Sequence, residues 1–409
     1  MSAPLAGIRV VDFTRVLAGP HCTKTLLDLG ATVTKIEPPS GDLGRVSMPH
    51  IGGMSLYYAQ QNAGKRNVSL DLNFPEARSI MVDMCREADI IVENFRPGTL
   101  DRFGLGYEQV RAFNPSVIYA SLSGYGQSTS WRNRPAFAPT VQAESGLTDI
   151  VQNHFGDALT EARNDACSHA DVYTGLQGVI GILAALQHRA RTGEGQHVDV
   201  SMAATMLSVN ERAGAQLSEI DTEGEPIILS APDSHIFDLP DGSRLTIAGS
   251  PIYTPMFSRF CAMMRRNDLL TDPRFGTARL RRQNIVPLLA EVRAWILTFN
   301  DLDLLQTQVS EAGLAIGVVR SINEFAESEW VREWGALVDI DDRSGGTIRM
   351  PGAPWHFSKS ELPLPGKPAF QGEHNAEVLS ERMLSAAQIR DLQERRILLS
   401  TPNPALPVD

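Results

Sequence analysis

The sequence predicts an α/β fold with a mostly parallel sheet. Short apolar runs alternate with helical segments over the first 125 residues of the 409-residue chain. Pro20 and Pro75 suit the first turns of two helices, and Gly30 ends the first of them. Strands that alternate with helices in this way pair in parallel through right-handed crossovers.

Six strands are expected, each a short apolar run, at residues 8–13, 31–37, 68–72, 89–95, 116–126 and 197–202. A long helix is predicted between Asp171 and Gly193. Three interior glycines, Gly175, Gly178 and Gly181, would each cost this helix about 1 kcal/mol against alanine. Close packing is the simpler explanation for them, and access of a ligand to the backbone is the alternative.

The alternation weakens after residue 205. A Pro-Asp-Gly turn predicts a hairpin within residues 238–249, and residues 255–320 are mostly helical in pattern. We place a second, smaller domain at 225–325. The tail carries a strand-like segment at 347–354 and one final helix at 375–395.

Composition excludes several classes of protein. The chain has 37 basic and 48 acidic residues and a formal charge of −11, so the basic excess of a nucleic-acid-binding protein is missing. The longest apolar run, 179–186, is far below the ~18 residues of a membrane span, and no secretion signal is visible. The cysteines show no metal-ligand or CxxC spacing: Cys22, Cys85, Cys167 and Cys261. A cytoplasmic protein with free thiols, no metal, no membrane and no nucleic-acid partner is expected.

Common enzyme motifs are also missing. The first strand–helix turn, residues 15–21, lacks the glycines of a dinucleotide site, and neither a P-loop nor an HExxH motif occurs. The segment around Ser123 is not GxSxG, and the nine histidines show no metal-ligand spacing.

One carboxylate and three loops are candidates for a functional site. Asp171 directly precedes the predicted long helix, where an aspartate is most often an N-cap, although a carboxylate there can also act as a nucleophile. Ligands of parallel α/β sheets bind beyond the carboxyl ends of the strands. The loops at 15–18, 94–98 and 123–127 should therefore meet at one edge. The alternative for each loop is an ordinary connection between two elements. Arg102 is a candidate phosphate contact, and a solvated helix charge is the alternative for it.

Seven segments then occur in an order that resembles the class III CoA-transferases, the family of formyl-CoA transferase and carnitine CoA-transferase. They are PLAGIRVVDFTRVLAGP, GATVTKIEPPSGD, GKRNVSLDL, VENFRPGTLDRFGLGYE, YASLSGYGQ, the region from DVYTG to HVDVSM, and GEHNAEVL. The resemblance extends from Pro4 to about Leu392. It implies a large Rossmann-like domain built from both chain ends, 1–204 and 330–409. It also implies a small α+β domain at 225–325, linkers at 205–224 and 326–329, and an interlocked homodimer.

The resemblance further implies an activity and its residues. CoA would move from an acyl-CoA donor to a small carboxylic acid, with acyl-CoA as a substrate and no permanently bound cofactor. Asp171 matches the family's nucleophile, which forms an aspartyl anhydride and then an aspartyl-CoA thioester. The family's CoA contacts match Val16, Leu70, Asn94, Phe95, Arg102 and Phe103, and Arg96 is a plausible addition. Arg15 and Arg134 are candidates to pair with the acceptor carboxylate, with a solvent-facing role as the alternative for each.

Departures from the family pattern leave the substrate open. Leu17 replaces the glutamine of formyl-CoA transferase, Pro38 replaces a basic residue, and no glycine run is present to form a lid, which disfavours formyl transfer to oxalate. The related α-methylacyl-CoA racemases have a histidine where this chain has Phe137 and a glutamate near Thr254. Racemisation needs a proton donor and an acceptor on opposite faces of the α-carbon. An acyl-CoA racemase or isomerase is therefore the second choice, and a catalytically silent CoA-binding protein is the third.

Overall fold

A computed structural model describes residues 2–150, 167–218 and 235–400. Two compact units are present, one formed by Met1–Asn210 and Trp330–Asp409 and the other by Glu211–Glu329. The expected linker at 205–224, the start of the small domain at 225 and the end of the chain lie partly outside the described residues. Those domain boundaries therefore stay predictions.

The first unit is built on a parallel sheet. Its described strands are β1 (Arg9–Asp12), β2 (Thr32–Glu37), β3 (His50–Ile51), β4 (Met54–Ser55), β5 (Arg66–Ser69), β6 (Ile90–Glu93), β7 (Ile118–Ser123) and β8 (Gln196–Ser201). Six of these form one sheet in the order β5-β2-β1-β6-β7-β8, and every neighbouring pair is parallel. The short β3 and β4 form a separate antiparallel hairpin. The predicted mixed α/β fold with a large parallel sheet is confirmed.

Helices flank this sheet and continue through the second unit. They are α1 (Ala18–Asp28), α2 (Leu56–Asn62), α3 (Pro75–Glu87), α4 (Tyr107–Arg111), α5 (Ala138–Glu144), α6 (His169–Thr192), α7 (Met202–Ser208), α8 (Ala213–Leu217), α9 (Thr254–Met264), α10 (Ala278–Gln283), α11 (Ile285–Ile296), α12 (Leu302–Glu311), α13 (Ile322–Ala326), α14 (Glu329–Trp334), α15 (Asn375–Ser380) and α16 (Ala386–Glu394). Among the described residues, no helix combines the length and the apolar character that a bilayer crossing requires.

Sheet topology decides where a ligand can enter. Strand β1 lies between β2 and β6, so the strand order reverses between β1 and β6. The loops that follow these two strands border the crevice where doubly wound sheets bind ligands. Apolar clusters cover both faces: one contains Met81 and Met84 of α3, and the other contains Leu26 of α1 and Ile182 of α6.

The glycines of α6 serve close packing, as expected. A Cβ at Gly175 would lie 2.7 Å from the carbonyl oxygen of Ala18, and one at Gly178 would lie 3.1 Å from the sulfur of Cys22. A Cβ at Gly181 would lie 2.7 Å from a β8 side chain. Helix α6 therefore packs on α1 and β8 at distances that larger residues would not allow.

The remaining strands belong to small sheets. In the second unit, β9 (Ile236–Asp238), β10 (Arg244–Ile247) and β11 (Ile316–Val318) form an antiparallel sheet, and the first two are the predicted hairpin. Near the chain end, β12 (Leu337–Asp341) and β13 (Thr347–Pro351) pair with each other. Only β13 had been expected from the sequence.

Three predicted boundaries were wrong. The strand expected at 68–72 is β5, which ends at Ser69, because Asp71 begins a turn that leads to Pro75. The single helix expected at 375–395 is two helices: Met383 adopts a positive φ, and Ser385 caps α16. Asp171 does not precede its helix. Helix α6 begins at His169 with Ser168 as its N-cap, so Asp171 lies within the first turn.

Candidate active site

Asp171 joins the first turns of two helices. Its side chain belongs to α6, and the backbone N–H of Ala18, the first residue of α1, lies close enough to its carboxylate to lower its pKa. The first N–H groups of a helix have no partner within the helix, and they favour a nearby negative charge. The Asp171 carboxylate therefore places a negative charge beside the N–H of Ala18. The residue that precedes α1, Leu17, has no polar side chain that could cap this N–H.

The environment of this carboxylate makes it more basic than an ordinary aspartate. Burial raises the pKa of Asp171 to about 6, against the opposing effect of the Ala18 N–H. At neutral pH the group is still mostly ionised. A carboxylate that is both ionised and more basic than usual is suited to nucleophilic attack.

Tyr57 lies close to this carboxylate and was missed by the sequence analysis. It is a half-buried residue of α2, and burial followed by the charges of Asp171 and Asp42 raises its pKa to about 12. The phenol therefore stays protonated and can donate a hydrogen bond. No motif surrounds Tyr57 in the sequence, so its place beside Asp171 depends on how α2 packs.

The loops after β1 and β6 are joined by one side-chain amide. The N–H of Arg15 donates to Oδ1 of Asn94 at 2.8 Å, and Nδ2 of Asn94 donates to the carbonyl oxygen of Arg15 at 2.9 Å. The two loops that were expected to meet at the carboxyl ends of the strands are therefore in contact. The third loop lies beside β8, since the N–H of Gln127 donates to Asp199 at 2.8 Å.

Val16, the residue after this contact, has an unusual backbone conformation. Its φ is +67°, a region that β-branched residues rarely adopt. The N–H of Val16 donates to Oδ1 of Asp42 at 2.9 Å. Strained positions of this kind persist where the surrounding contacts hold them, and they cluster at functional sites.

The residues matched to CoA contacts fall into buried and exposed groups. The side chain of Leu70 is in the apolar core on the α3 face, and Phe95 and Phe103 pack half-buried against the same cluster. Arg96 and Arg102 are exposed to solvent. The loop after β6 therefore combines an apolar support with two accessible positive charges.

The residues considered for the substrate are in different environments. Leu17 is buried, whereas Phe137, which precedes α5, is 67% exposed. Arg134 pairs with Glu144 at 3.2 Å, so it already has a partner within the chain. Arg15 donates from Nη2 to the carbonyl oxygen of Gly41, and its buried Nε has no hydrogen-bond partner among the described residues.

A small cavity lies under the loop after β6. Its volume is about 200 Å³, and its lining includes Glu93, Arg96, Ser121 and His197. Burial raises the pKa of Glu93 to about 7, against hydrogen bonds from Ser121 and from the N–H of Phe95. This acidic side chain was not singled out in the sequence, where it appeared only as part of a buried strand.

Comparison with known proteins decides the family. Residues 5–375 match the model of CoA-transferase family III. The chain belongs to this family. The predicted resemblance is confirmed, and with it the expectation of a CoA-transferase enzyme.

Individual relatives agree with this assignment. The chain is 33% identical to a succinyl-CoA:mesaconate CoA-transferase of Haloarcula hispanica, over 92% of this chain and 96% of the relative. It is 30% identical to a formyl-CoA:oxalate CoA-transferase of Escherichia coli, over 97% of this chain and 100% of the relative. A crystal structure of a CAIB/BAIF family protein from Brucella suis superimposes with a TM-score of 0.77 at 29% identity, over 93% of this chain and 100% of that one.

A CoA-transferase of this family acts on two kinds of substrate. Such an enzyme has to accommodate a CoA thioester, which carries phosphates, and a carboxylic acid. Among the described residues, no cluster of His, Cys, Asp and Glu could hold a metal ion. The roles of individual site residues stay predictions.

Proposed function

We propose that this CoA-transferase moves CoA from an acyl-CoA thioester to a carboxylic acid through a covalent intermediate on Asp171. The placement of that carboxylate carries the proposal. It is half-buried, burial raises its pKa to about 6, and the first N–H of α1 lies close enough to oppose that rise. Helix α1 begins only six residues after β1, next to the point where the strand order reverses.

The first half of the reaction transfers CoA to the enzyme. A carboxylate oxygen of Asp171 attacks the thioester carbon of the donor, the C–S bond breaks, and CoA leaves as its thiolate. A mixed anhydride between Asp171 and the donor acyl group remains. The thiolate then attacks the aspartyl carbon of this anhydride, which releases the donor acid as a carboxylate and leaves an aspartyl-CoA thioester.

The second half repeats these steps with the acceptor. The acceptor carboxylate attacks the aspartyl thioester carbon and expels the CoA thiolate, which forms a second anhydride. Attack of the thiolate on the acyl carbon of that anhydride releases the new acyl-CoA and restores the carboxylate of Asp171. Charge balances in each step without a net proton transfer, so no second acid–base residue is required.

The N–H of Ala18 would assist each attack on the aspartyl carbon. In the resting state it lies near the Asp171 carboxylate and lowers the pKa of that group, and we propose that it donates a hydrogen bond to it. When that carbon becomes tetrahedral, the same oxygen carries the negative charge, and a preorganised N–H stabilises such an oxyanion. The hydrogen bond should therefore strengthen in the transition state.

Other residues would bind the two substrates. We assign the CoA phosphates to the exposed Arg96 and Arg102, with Phe95 and Phe103 supporting their loop and Asn94 holding it to Arg15. The backbone at Val16 and Leu70 would complete the CoA contacts, because the side chain of Leu70 is in the core.

The acid substrates are proposed to include a dicarboxylate such as succinate. Arg15 has a buried Nε without a partner among the described residues, and it is the candidate that pairs with a substrate carboxylate. Arg134 is the weaker candidate, because Glu144 already pairs with it. Leu17 and Phe137 would line an apolar part of the site. The name of the succinyl-CoA relative agrees with this choice.

We also propose a homodimer, with the two chains interlocked. Helix α6 exposes three large apolar side chains between residues 173 and 183: Tyr173 is 37%, Ile180 58% and Leu183 37% exposed. These residues recur at helical spacing on one side of the helix. A second copy of the chain is the proposed cover.

Intact-protein mass spectrometry tests the covalent mechanism. The enzyme is incubated separately with succinyl-CoA, acetyl-CoA and butyryl-CoA, and half of each sample then receives hydroxylamine. We expect an increase of one CoA less one water that hydroxylamine removes and that Asp171→Asn abolishes. Asp303→Asn is the matched control, because Asp303 is a first-turn acid of α12 in the other unit.

Absence of any adduct in an enzyme that still binds CoA would contradict this mechanism. The racemase or isomerase alternative predicts a different result, namely uptake of solvent deuterium at the α-carbon of the acyl group without CoA exchange. A chain that binds CoA and shows neither adduct nor deuterium uptake would be a silent CoA-binding protein.

A further inference from the structure

A buried ion pair lies behind the loop that leads into α1. The ammonium of Lys35, in β2, is 2.9 Å from Oδ2 of Asp42, and both side chains are fully buried. Neither group can touch a substrate. Burying such a pair is costly, and replacing one with apolar residues is often neutral or stabilising. The pair therefore calls for an explanation other than its own stability.

The ion pair contacts both ends of one tripeptide, residues 14–16. Nζ of Lys35 donates to the carbonyl oxygen of Thr14 at 2.6 Å. Oδ1 of Asp42 accepts the N–H of Val16 at 2.9 Å. The middle residue of the tripeptide is held by the amide of Asn94. Four backbone groups in three consecutive residues are thus bonded to side chains from other segments.

This arrangement sets the direction in which the chain enters α1. The N–H of Val16 donates to Asp42 at the residue whose backbone has the unusual positive φ. Ala18 follows two residues later, and its N–H is the one that lowers the pKa of Asp171. The charges of Asp171 and Asp42 both raise the pKa of Tyr57, so both carboxylates lie near this phenol.

We propose that Lys35 and Asp42 are positioning residues for the transfer reaction, which hold residues 14–16 so that the N–H of Ala18 points at the carboxylate of Asp171. This inference rests on the proposed role of Asp171. Although burial alone would raise it, the Lys35 ammonium and the N–H groups of Gly44 and Val16 lower the pKa of Asp42 to about 2. Asp42 is therefore ionised throughout the working range and acts by geometry, without exchanging protons.

Two double variants test the proposal without leaving a buried charge unpaired. Lys35→Met/Asp42→Leu removes the contacts to residues 14–16 from both side chains. Lys35→Met/Asp42→Asn has nearly the same shape but keeps an acceptor for the N–H of Val16. Arg281→Met is the control for a lost buried cation, because Arg281 binds backbone carbonyls in the second unit.

The rate and pH dependence of adduct formation with succinyl-CoA are measured for each variant. For the leucine variant we expect the rate to fall by at least about tenfold, as misplacement of a catalytic group does. The acid limb of the pH–rate profile should also move to higher pH. The contact of the Ala18 N–H with Asp171 lowers the pKa of that group, and this contact is weakened in the variant. The asparagine variant should react at least about threefold faster than the leucine variant, since the acceptor for the N–H of Val16 is restored.

A leucine variant that forms the adduct at the wild-type rate and with the wild-type pH limb would overturn the proposal. Equal rates and equal limbs in the two double variants would also contradict it. Failure of the proposed function appears separately, because it would leave the wild-type enzyme without an adduct. If Arg281→Met slowed the reaction and shifted the limb as much as the leucine variant, general destabilisation would explain the effect and the positioning role would be wrong.

Discussion

Gly175 packs directly against Ala18, and a Cβ at position 175 would lie 2.7 Å from the carbonyl oxygen of Ala18. Residues 171 and 175 are one turn apart on the same face of α6. The close approach at Gly175 therefore also sets the distance between the carboxylate of Asp171 and the first N–H of α1.

Replacing this glycine should damage stability and activity together. We expect Gly175→Ala to lower the free energy of unfolding by about 1–3 kcal/mol, as overpacking does, and to slow CoA transfer at least about tenfold by displacing Asp171. Urea denaturation and an acyl-CoA exchange assay measure the two effects. Gly276→Ala is the control, because a Cβ there would meet no described atom within 4 Å. Full activity in Gly175→Ala would contradict the proposed coupling.

The rate should depend on the ionisation of Asp171. Only the carboxylate form is a nucleophile, and the pKa of this group is raised to about 6. We expect kcat/KM to be flat above about pH 7 and to fall tenfold per pH unit below the pKa. A profile that stayed flat down to about pH 4.5 would show that a group with an ordinary carboxylate pKa, or no titrating carboxylate, controls the reaction.

The same pKa predicts how stability changes with pH. Asp171 binds a proton more tightly in the folded state, with a pKa of about 6, than at its ordinary value of 3.8. Ionised Asp171 therefore destabilises the folded state. This destabilisation is absent below about pH 3.8 and complete above about pH 6. The melting temperature of Asp171→Asn minus that of the wild type should therefore rise between about pH 4 and pH 7. A difference that stayed flat across this range would be the opposing result.

A second buried ion pair should be important for stability. Nζ of Lys65 is 3.1 Å from Oδ2 of Asp12, and both side chains are almost completely buried. Lys65→Met should destabilise the protein by about 3–5 kcal/mol, because the charge of Asp12 would stay buried without this partner. Arg111→Met removes an exposed partner of Glu108 and should cost less than about 1 kcal/mol. Equal losses in chemical denaturation would contradict this difference.

The exposed face of α6 should be part of the dimer interface. Ile180→Asp places a charge at its most exposed apolar position, and burial of an unpaired charge is strongly unfavourable. We expect this variant to be monomeric by light scattering at concentrations where the wild type is dimeric. Val286→Asp, at a 62% exposed position of α11, should stay dimeric. A dimeric Ile180→Asp would place the interface elsewhere.

Much of the parallel sheet could be predicted. Each buried strand is a short apolar run, and residues such as glycine show where the preceding helix ends. Gly193 illustrates this: it adopts the positive φ that ends α6 where the sequence indicated. The hairpin of His50–Ile51 with Met54–Ser55 was missed, because two-residue strands have no periodicity. The break at Met383 was missed as well, since methionine is ordinarily a good helix former.

The sequence by itself determined the fold class, the family and Asp171 as the candidate nucleophile, because apolar periodicity and ordered motifs are properties of the linear chain. Only the tertiary structure decided what surrounds that carboxylate. The effect of the Ala18 N–H on Asp171 and the effect of the Asp171 charge on Tyr57 both join residues more than a hundred positions apart. Such contacts depend on which helix faces pack together and on burial, and no local pattern encodes the resulting rise in the pKa of Asp171.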